Sequence, residues 1–322
     1  MTAPHPIQYM KKAGWRAVLR RAFIGSQEKK GMVTVLLLYA ILIVFCYIFL
    51  YPILYMFVTS IKALPDLIND SVMWIPSKVD FSSYGSALEV MNFTGSLLDT
   101  LKLTLLPAVC QVATAALTGY AFAQYRFPLR RLFIGLLVLT FVVPLVVTLM
   151  PTYLMYKQMN MLGTLGAVVY PALLGQGVNA AIITLIFYLF YRQLSVSIVE
   201  AAKLDGCGHW RVFTRIALPT VRSAALIAFL FSFVWYWNET TLVGTYVTNT
   251  AYGSGSSMST LLINLQNFEA NYKNMFGAEN AAKINEAITM AGSVLCVSPL
   301  LLVYFALQRF FVQSVDMMGI KE

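Results

Sequence analysis

The sequence predicts an all-α, polytopic membrane protein with six transmembrane helices, and three observations lead to this fold class. First, 59% of the 322 residues are hydrophobic and the mean hydropathy is +0.70. Second, only 11% are charged, against about 25% in soluble domains. Third, the apolar residues form long uncharged runs, and one crossing needs about 20 such residues. The length therefore leaves no room for an additional soluble catalytic domain.

Six uncharged runs are long enough to cross a membrane. Pro52, Pro144 and Pro171 lie inside these runs, where neighbouring helices satisfy the freed carbonyl groups, so we expect kinks there. The first run is longer than the apolar core of a signal peptide, which predicts a retained helix. The runs cover residues 32–58, 100–123, 132–156, 164–190, 221–247 and 287–308.

Lysine and arginine residues are distributed unevenly between alternate loops. Of the 23, 17 lie in the N-terminal segment, the loops near 126–131 and 192–222, and the C-terminal segment. Cytoplasmic loops carry the excess of basic residues, so both termini are predicted to be cytoplasmic. Residues 61–98 and 248–286 then form the two long outer loops.

The chain is divided into a basic N-terminal segment, residues 1–30, and a transmembrane domain, residues 31–322. In the segment, Trp15, Leu19 and Phe23 recur at helical spacing among arginines, which is typical of an amphipathic helix at a membrane surface. A solvated basic tail is the alternative. For a membrane protein, the net charge of +9 is relevant to the orientation in the membrane and to contact with anionic lipid. No stretch indicates nucleic-acid binding.

The loop between the fourth and fifth runs has the pattern of two short helices. Ser195 or Ser197 is expected to cap the first helix, whose first turn receives Glu200. Gly206 ends this helix, and a second helical stretch over 210–217 ends just before the fifth run. A helix–turn–helix on the cytoplasmic face is therefore predicted. The small apolar surface of its first helix consists of Ala201, Ala202 and Leu204.

This loop, residues 195–219, resembles the EAA loop of ABC importer permease subunits. The spacing E-A-A-x3-G-x9-I-x-L-P is matched at every specified position. Residues 121–127 and 308–312 also resemble the carbohydrate-importer, MalG-like branch of that family, whereas Asp99-Thr100 departs from its frequent Asn-Ser. The matching residues are Glu200, Ala201, Ala202, Gly206, Ile216, Leu218 and Pro219.

The resemblance implies the type I ABC importer permease fold and a set of partners. These are a second homologous permease subunit, two cytoplasmic ATPase subunits, an extracytoplasmic solute-binding protein, membrane lipid, and a sugar substrate that is an oligosaccharide or disaccharide. ATP and Mg would be bound by the ATPase subunits, and no cofactor by this chain. The expected location is the cytoplasmic membrane of a bacterium or archaeon.

In the family that this loop resembles, the EAA loop docks in a cleft of the ATPase. Ala201 and Ala202 would then permit close approach, and Glu200 would pair with a basic group of the ATPase. Gly206 would set the angle between the two helices. Asp205 would either take part in docking or cap the next turn.

The sequence carries no motif for chemistry of its own. A GxxxxGK[ST] phosphate loop and an HExxH zinc motif are both absent from it, so neither a catalytic nor a metal site is predicted. An ion-coupled secondary transporter is one alternative, but only Lys102 and Glu239 lie in or near a run, both toward the outer ends. An ABC permease for a solute other than a sugar is another.

Polar residues at helical spacing in three runs are candidates for a sugar pathway, since a sugar needs hydrogen-bonding groups and aromatic faces. Gln176 and Asn179 are expected on one face of the fourth helix. Helix-to-helix contacts, or the membrane interface for the aromatic residues, are the alternative roles. The candidates are Thr104, Gln111, Thr114, Thr118, Gln176, Asn179, Ser232, Trp235, Asn238 and Glu239.

Overall fold

The computed structural model describes residues 32–248, 258–277, 279 and 284–319. The protein forms helices over these residues and no strands, in agreement with the predicted fold class. It divides into two compact units between Val79 and Asp80, and each unit is described by itself. The predicted amphipathic helix in residues 1–30 lies outside the described residues.

Helix α1, Met32–Ser60, dominates the first unit. It is apolar enough to cross a membrane, and most of its side chains are exposed, with Phe49 at 72%. Only its last two residues, Thr59 and Ser60, are buried. A surface of this kind is stable only against lipid or another apolar surface, as expected for the first transmembrane helix.

A short folded segment follows α1 and contains helix α2, Leu64–Ile68. Two buried charged side chains organise it. Lys62 Nζ donates to the carbonyl oxygen of Val72 at 2.8 Å. Asp66 Oδ2 accepts a hydrogen bond from the backbone N–H of Ser77 at 2.8 Å. The first part of the predicted outer loop is therefore ordered by buried side-chain hydrogen bonds.

The second unit contains the other described helices. A π-helical turn, Phe213–Ala217, lies between two of them. In chain order the helices are α3 (Ser82–Val90), α4 (Phe93–Gln124), α5 (Arg130–Val142), α6 (Leu145–Gln158), α7 (Gly166–Leu173), α8 (Ala180–Arg192), α9 (Val196–Leu204), α10 (His209–Val212), α11 (Leu218–Thr220), α12 (Arg222–Trp237), α13 (Thr241–Tyr246), α14 (Leu261–Gln266), α15 (Phe268–Phe276) and α16 (Glu286–Gly319).

Three helices of the described chain are long and apolar enough to cross a membrane, namely α1, α4 and the part Glu286–Arg309 of α16. The number rises to as many as six if each of three bent helix pairs is one span. Helices α5 and α6 form one such pair, bent by 95°. Pro144 stands at this bend, as its position in the sequence led us to expect. The count of six spans stays a prediction.

Besides the third run, which is split at Pro144 between α5 and α6, two predicted runs are not continuous helices, which corrects the sequence-based bounds. The fourth run is interrupted between Leu173 and Ala180, and the fifth between Trp237 and Thr241. In the first interruption Gly175 has φ of +77° and Asn179 has φ of +52°. An α-helix does not accommodate these left-handed conformations. Hydropathy alone cannot reveal them, because the interruption leaves the apolar run intact.

Helix α4 is the central helix of the second unit and packs against α7, α8 and α12. Its buried residues recur every three or four positions, as on one face of a helix. Gly119 belongs to this face, and a Cβ there would lie only 2.7 Å from Cβ of Phe187. Glycine therefore permits the close approach of α4 to α8.

An aromatic cluster, defined as Tyr120, Phe187, Tyr191 and Phe213, fills the core beside this contact. The ring centroids of Tyr120 and Tyr191 are 5.2 Å apart, and those of Tyr120 and Phe213 are also 5.2 Å apart. All four side chains are buried. Because Phe213 belongs to the π-helical turn, the cluster joins the loop after α8 to the helices α4 and α8.

Candidate functional site

The loop between α8 and α12 contains the predicted helix–turn–helix. Its first helix, α9, follows Ser195, whose extended backbone stands at the N-cap position. Ser195 Oγ is 2.6 Å from Ser197 Oγ, and its side chain makes no capping hydrogen bond to the helix. Glu200 is the fifth residue of α9, not a residue of its first turn as the sequence suggested. Its carboxylate is therefore not placed to stabilise the N-terminal end of the helix dipole.

The two alanines of the motif lie on different faces of α9. Ala202 is only 8% exposed and packs with Val199 against the core that contains Phe213. Ala201 and Glu200 are exposed. The structure thus corrects the expectation that both alanines belong to an outer docking surface, since Ala202 already faces its own chain.

The outward face of α9 is more apolar than the sequence reading indicated. Ile198 and Leu204, which flank Ala201 at intervals of three residues, are exposed at 49% and 88%. Trp210 in α10 adds another exposed large side chain. Ile198 and Trp210 were not among the predicted site residues. The spacing of three residues between Ile198, Ala201 and Leu204 could have revealed that Ile198 shares a helix face with Ala201. We call Ile198, Ala201, Leu204 and Trp210 the outer apolar surface.

A Schellman motif ends α9 at Gly206. The backbone N–H of Gly206 donates to the carbonyl oxygen of Lys203 at 3.1 Å, and that of Cys207 donates to Ala202 at 3.0 Å. Gly206 has φ of +78°, and a Cβ there would meet nothing within 4 Å. Glycine is needed for the backbone conformation and not for space. Asp205 is the exposed C-cap residue, and its N–H donates to Ala201.

The second limb of the loop is helical from His209 to Thr220 and contains the π-helical turn. Pro219 has no N–H to donate to the carbonyl group four residues earlier. The π-helical turn, Phe213–Ala217, ends two residues before this proline. Ile216 and Leu218 are half-buried, whereas Pro219 is exposed. The limb then bends by 77° into α12. The loop is therefore anchored in the aromatic cluster through Phe213.

The interruption between α7 and α8, residues 174–179, is the second candidate site. Gln176 and Asn179 lie in this interruption and not on one helical face, which corrects the prediction. The backbone N–H of Gln176 donates to the carbonyl oxygen of Pro171 at 2.7 Å, and the Gln176 side chain is exposed. Asn179, the N-cap residue of α8, is half-buried.

Three side chains from α4 and α12 support this interruption, and we call Gln111, Ser232 and Tyr236 the polar clamp. Gln111 Nε2 donates to the carbonyl oxygen of Val178 at 2.8 Å and to Ser232 Oγ at 3.3 Å. Tyr236 OH donates to Gln111 Oε1 at 2.8 Å and accepts from the backbone N–H of Val178 at 3.1 Å. The clamp thus satisfies both backbone polar groups of Val178.

Two residues that were predicted to line the sugar pathway belong to the clamp and are buried. Gln111 and Ser232 are at most 1% exposed, so their polar groups face the interruption and not an open path. Thr114 Oγ1 likewise donates to the carbonyl oxygen of Leu173 at 2.8 Å. Tyr236 was not predicted, because an apolar run gives no sign that its hydroxyl has a distant partner.

The other predicted pathway residues lie away from the interruption. Trp235 packs beside the aromatic cluster's core, and Asn238 Nδ2 donates to the carbonyl oxygen of Val234 at 2.8 Å. Glu239 Oε1 accepts from the backbone N–H of Leu242 at 2.8 Å at the start of α13. Thr104 is buried and Thr118 is half-buried on α4. The expected helical stripe on the fifth run is thus broken after Trp237.

The chain matches the family described as binding-protein-dependent transport system inner membrane component over residues 111–317, and it belongs to this family. The match contains both the helix–turn–helix and the interruption with its clamp. The protein is therefore a membrane-embedded permease of a binding-protein-dependent ABC transport system.

Two relatives and one solved structure resemble most of the chain. The osmoprotective compounds uptake permease protein GgtD of Synechocystis is 29% identical over 276 residues, which are 84% of this chain and 86% of GgtD. The lactose transport system permease protein LacG of Rhizobium radiobacter is 24% identical over 278 residues, which are 86% of this chain and 93% of LacG.

The solved structure is a chain of a bacterial ABC transporter involved in the import of the acidic polysaccharide alginate. It is 21% identical with a TM-score of 0.66, and the match covers 87% of this chain and 96% of that chain. This likeness supports the ABC importer permease fold.

The two alanines of α9 should respond differently to the same substitution. Ala202→Trp overfills the core below α9 and should lower the free energy of unfolding by about 1 to 3 kcal/mol or prevent folding. Ala201→Trp adds its side chain on the outside and should change stability by less than about 0.5 kcal/mol. Unfolding of the purified protein in detergent measures both. Equal stabilities would contradict the assignment of the two faces.

The clamp predicts a strong effect at Gly177. A Cβ there would lie 2.2 Å from Gln111 Oε1 and 2.3 Å from Tyr236 OH, so Gly177→Ala must break their hydrogen bond. Tyr236→Phe leaves Gln111 Oε1 and the backbone N–H of Val178 without their partner and should cost about 1 to 3 kcal/mol of stability. The matched control is Gly135→Ala in α5, where a Cβ meets nothing within 4 Å. A Gly177→Ala protein as stable as the control would exclude the clamp.

Proposed function

We propose that this chain is one of two homologous permease subunits of an ATP-driven sugar importer, and that two cytoplasmic ATPase subunits and an extracytoplasmic solute-binding protein complete the transporter. The observation that carries the proposal is the helix–turn–helix between α8 and α12. It is capped by the Schellman motif at Gly206, anchored through Phe213, and presents an outer apolar surface. A motor in a separate subunit needs such a stiff contact to move membrane helices.

The coupling route runs from the outer apolar surface through the π-helical turn to the aromatic cluster. A displacement of α9 would press on Val212 and Phe213, which pack against Tyr120 of α4 and Tyr191 of α8. Well-packed interiors transmit strain because they have few voids to absorb it. In this proposal the energy comes from hydrolysis of ATP, which the partner ATPase subunits bind together with Mg, and this chain supplies neither a catalytic site nor a cofactor site.

A sugar substrate is supported by the relative LacG, which is named for lactose transport. GgtD is named for the uptake of osmoprotective compounds. We propose an oligosaccharide or disaccharide. Gln176 and Asn179 are the side chains of this chain that we assign to the pathway, because non-helical backbone at membrane depth is tolerated where it is buried in protein or lines a water-filled cavity. Gln111 and Ser232 hold that backbone in place.

The orientation in this proposal has both termini in the cytoplasm of a bacterium or archaeon. In a background without Cys46, Cys110, Cys207 and Cys296, a cysteine at the exposed Ser82 should react with an impermeant thiol reagent applied to intact cells. A cysteine at the exposed Ser195 should react only after the cells are opened. Labelling of position 195 in intact cells would reverse the topology.

The motor contact is tested with Ala201→Trp in the reconstituted transporter. The added indole should prevent close approach and reduce both ATPase co-purification and sugar uptake at least tenfold, while the permease itself stays folded. Ala270→Trp on the exposed face of α15 is the matched control and should retain the ATPase subunits. Unchanged co-purification and uptake with Ala201→Trp would remove the loop as the mechanical link. Uptake of a solute that is not a sugar, with no uptake of any disaccharide or oligosaccharide, would overturn only the sugar assignment.

A further inference from the structure

An arginine-lined cleft lies at the end of α4 and α8 that is next to the helix–turn–helix. Its volume is about 730 Å³. Arg126 comes from the segment after α4, Arg130 and Arg131 from the start of α5, and Arg192 from the end of α8. Glu200 of α9 lines the same cleft. Four guanidinium groups therefore surround one space together with one carboxylate.

The charge of this cleft is not balanced within the described part of the chain. None of the four arginines has an ion pair with a carboxylate among the described residues. Tyr188 orients two of them, since the Cζ atoms of Arg130 and Arg192 are 6.0 Å and 5.8 Å from its ring centroid. Such cation–π contacts hold guanidinium groups without neutralising them. The cleft thus has positive charge available for an anion.

The chemistry of the cleft favours a phosphate group. A guanidinium presents paired N–H donors that match phosphate oxygens, and several arginines around one space can bind a single phosphate from different sides. Basic pockets between membrane helices are known to suit lipid headgroups. A phosphate of any source would satisfy this part of the site.

The surface next to the cleft distinguishes a lipid from a free phosphate. Ile134 of α5 lines the cleft, and large apolar side chains on both sides of it along α5 are exposed. Leu132, Phe133, Leu136 and Leu139 are between 45% and 54% exposed. An amphiphile covers both surfaces, with its headgroup among the arginines and its acyl chains along α5. A free phosphate would leave α5 uncovered.

We propose that this cleft binds the phosphate headgroup of an anionic phospholipid, with the acyl chains against α5. No residue of the interruption, of the polar clamp or of the outer apolar surface lines the cleft.

The test uses the purified, delipidated transporter complex in a neutral detergent. Dioctanoyl-phosphatidylglycerol, dioctanoyl-phosphatidylcholine and inorganic phosphate are titrated separately, and the thermal unfolding midpoint gives an apparent affinity for each. The phosphatidylglycerol should stabilise the complex, whereas the other two should not do so at the same concentrations. Stabilisation by phosphate alone would assign the cleft to a free anion and overturn the lipid.

Variants then locate the effect. R130Q together with R192Q should weaken the apparent affinity for the phosphatidylglycerol at least tenfold. The matched control, R215Q with R222Q, removes two exposed arginines near the same loop but outside the cleft and should stay within twofold. R130K with R192K keeps the charge but not the paired donors and should lie in between.

A third substitution keeps the proposal testable if the double glutamine variant does not fold. Tyr188→Leu keeps an apolar side chain but removes the ring beside Arg130 and Arg192, and it should weaken binding at least threefold. Wild-type affinity in Tyr188→Leu and in the glutamine variant, or equal stabilisation by phosphatidylcholine, would overturn the site.

Discussion

The close approach of α4 to α8 at Gly119 is the constraint on which the second unit depends. Lipid is as apolar as the helix surfaces, so helices in a membrane associate through close packing and hydrogen bonds and gain little from the hydrophobic effect. A side chain at this position would collide with Phe187. The contact brings Tyr120 and Tyr191 together, and these two rings receive Phe213 from the loop. The helix–turn–helix is therefore anchored to a helix pair that cannot separate easily.

Helix α4, together with α12, also supports the irregular backbone between α7 and α8. Because no water is available at membrane depth, an interrupted helix must have its free N–H and C=O groups satisfied by protein. Gln111 and Tyr236 do this for Val178, from one helix on each side of the interruption. The hydrogen bonds of the polar clamp thus hold an irregular segment in a defined position, and this is what lets it interrupt the fourth run.

The spacing of residues along the chain was sufficient to predict the membrane class, the helix–turn–helix and the role of Gly206. These features are local. The glycine conformation, the end of α9 and the short second limb each depend on residues within a few positions. The family assignment had the same local origin, since residues 200–219 contain the whole motif. The kink at Pro144 was predictable because proline acts on its own backbone.

The tertiary structure alone decided which residues face each other. It turned Ala202 inward and left Ala201 outside, although the two are adjacent and identical. It interrupted the fourth run at a place that hydropathy reads as continuous, and it converted Gln111 from a pathway candidate into a clamp residue. It also collected Arg126, Arg130 and Arg192 into one cleft. Each outcome depends on contacts between residues far apart in the chain, and the periodicity of a single helix contains no information about its distant partners.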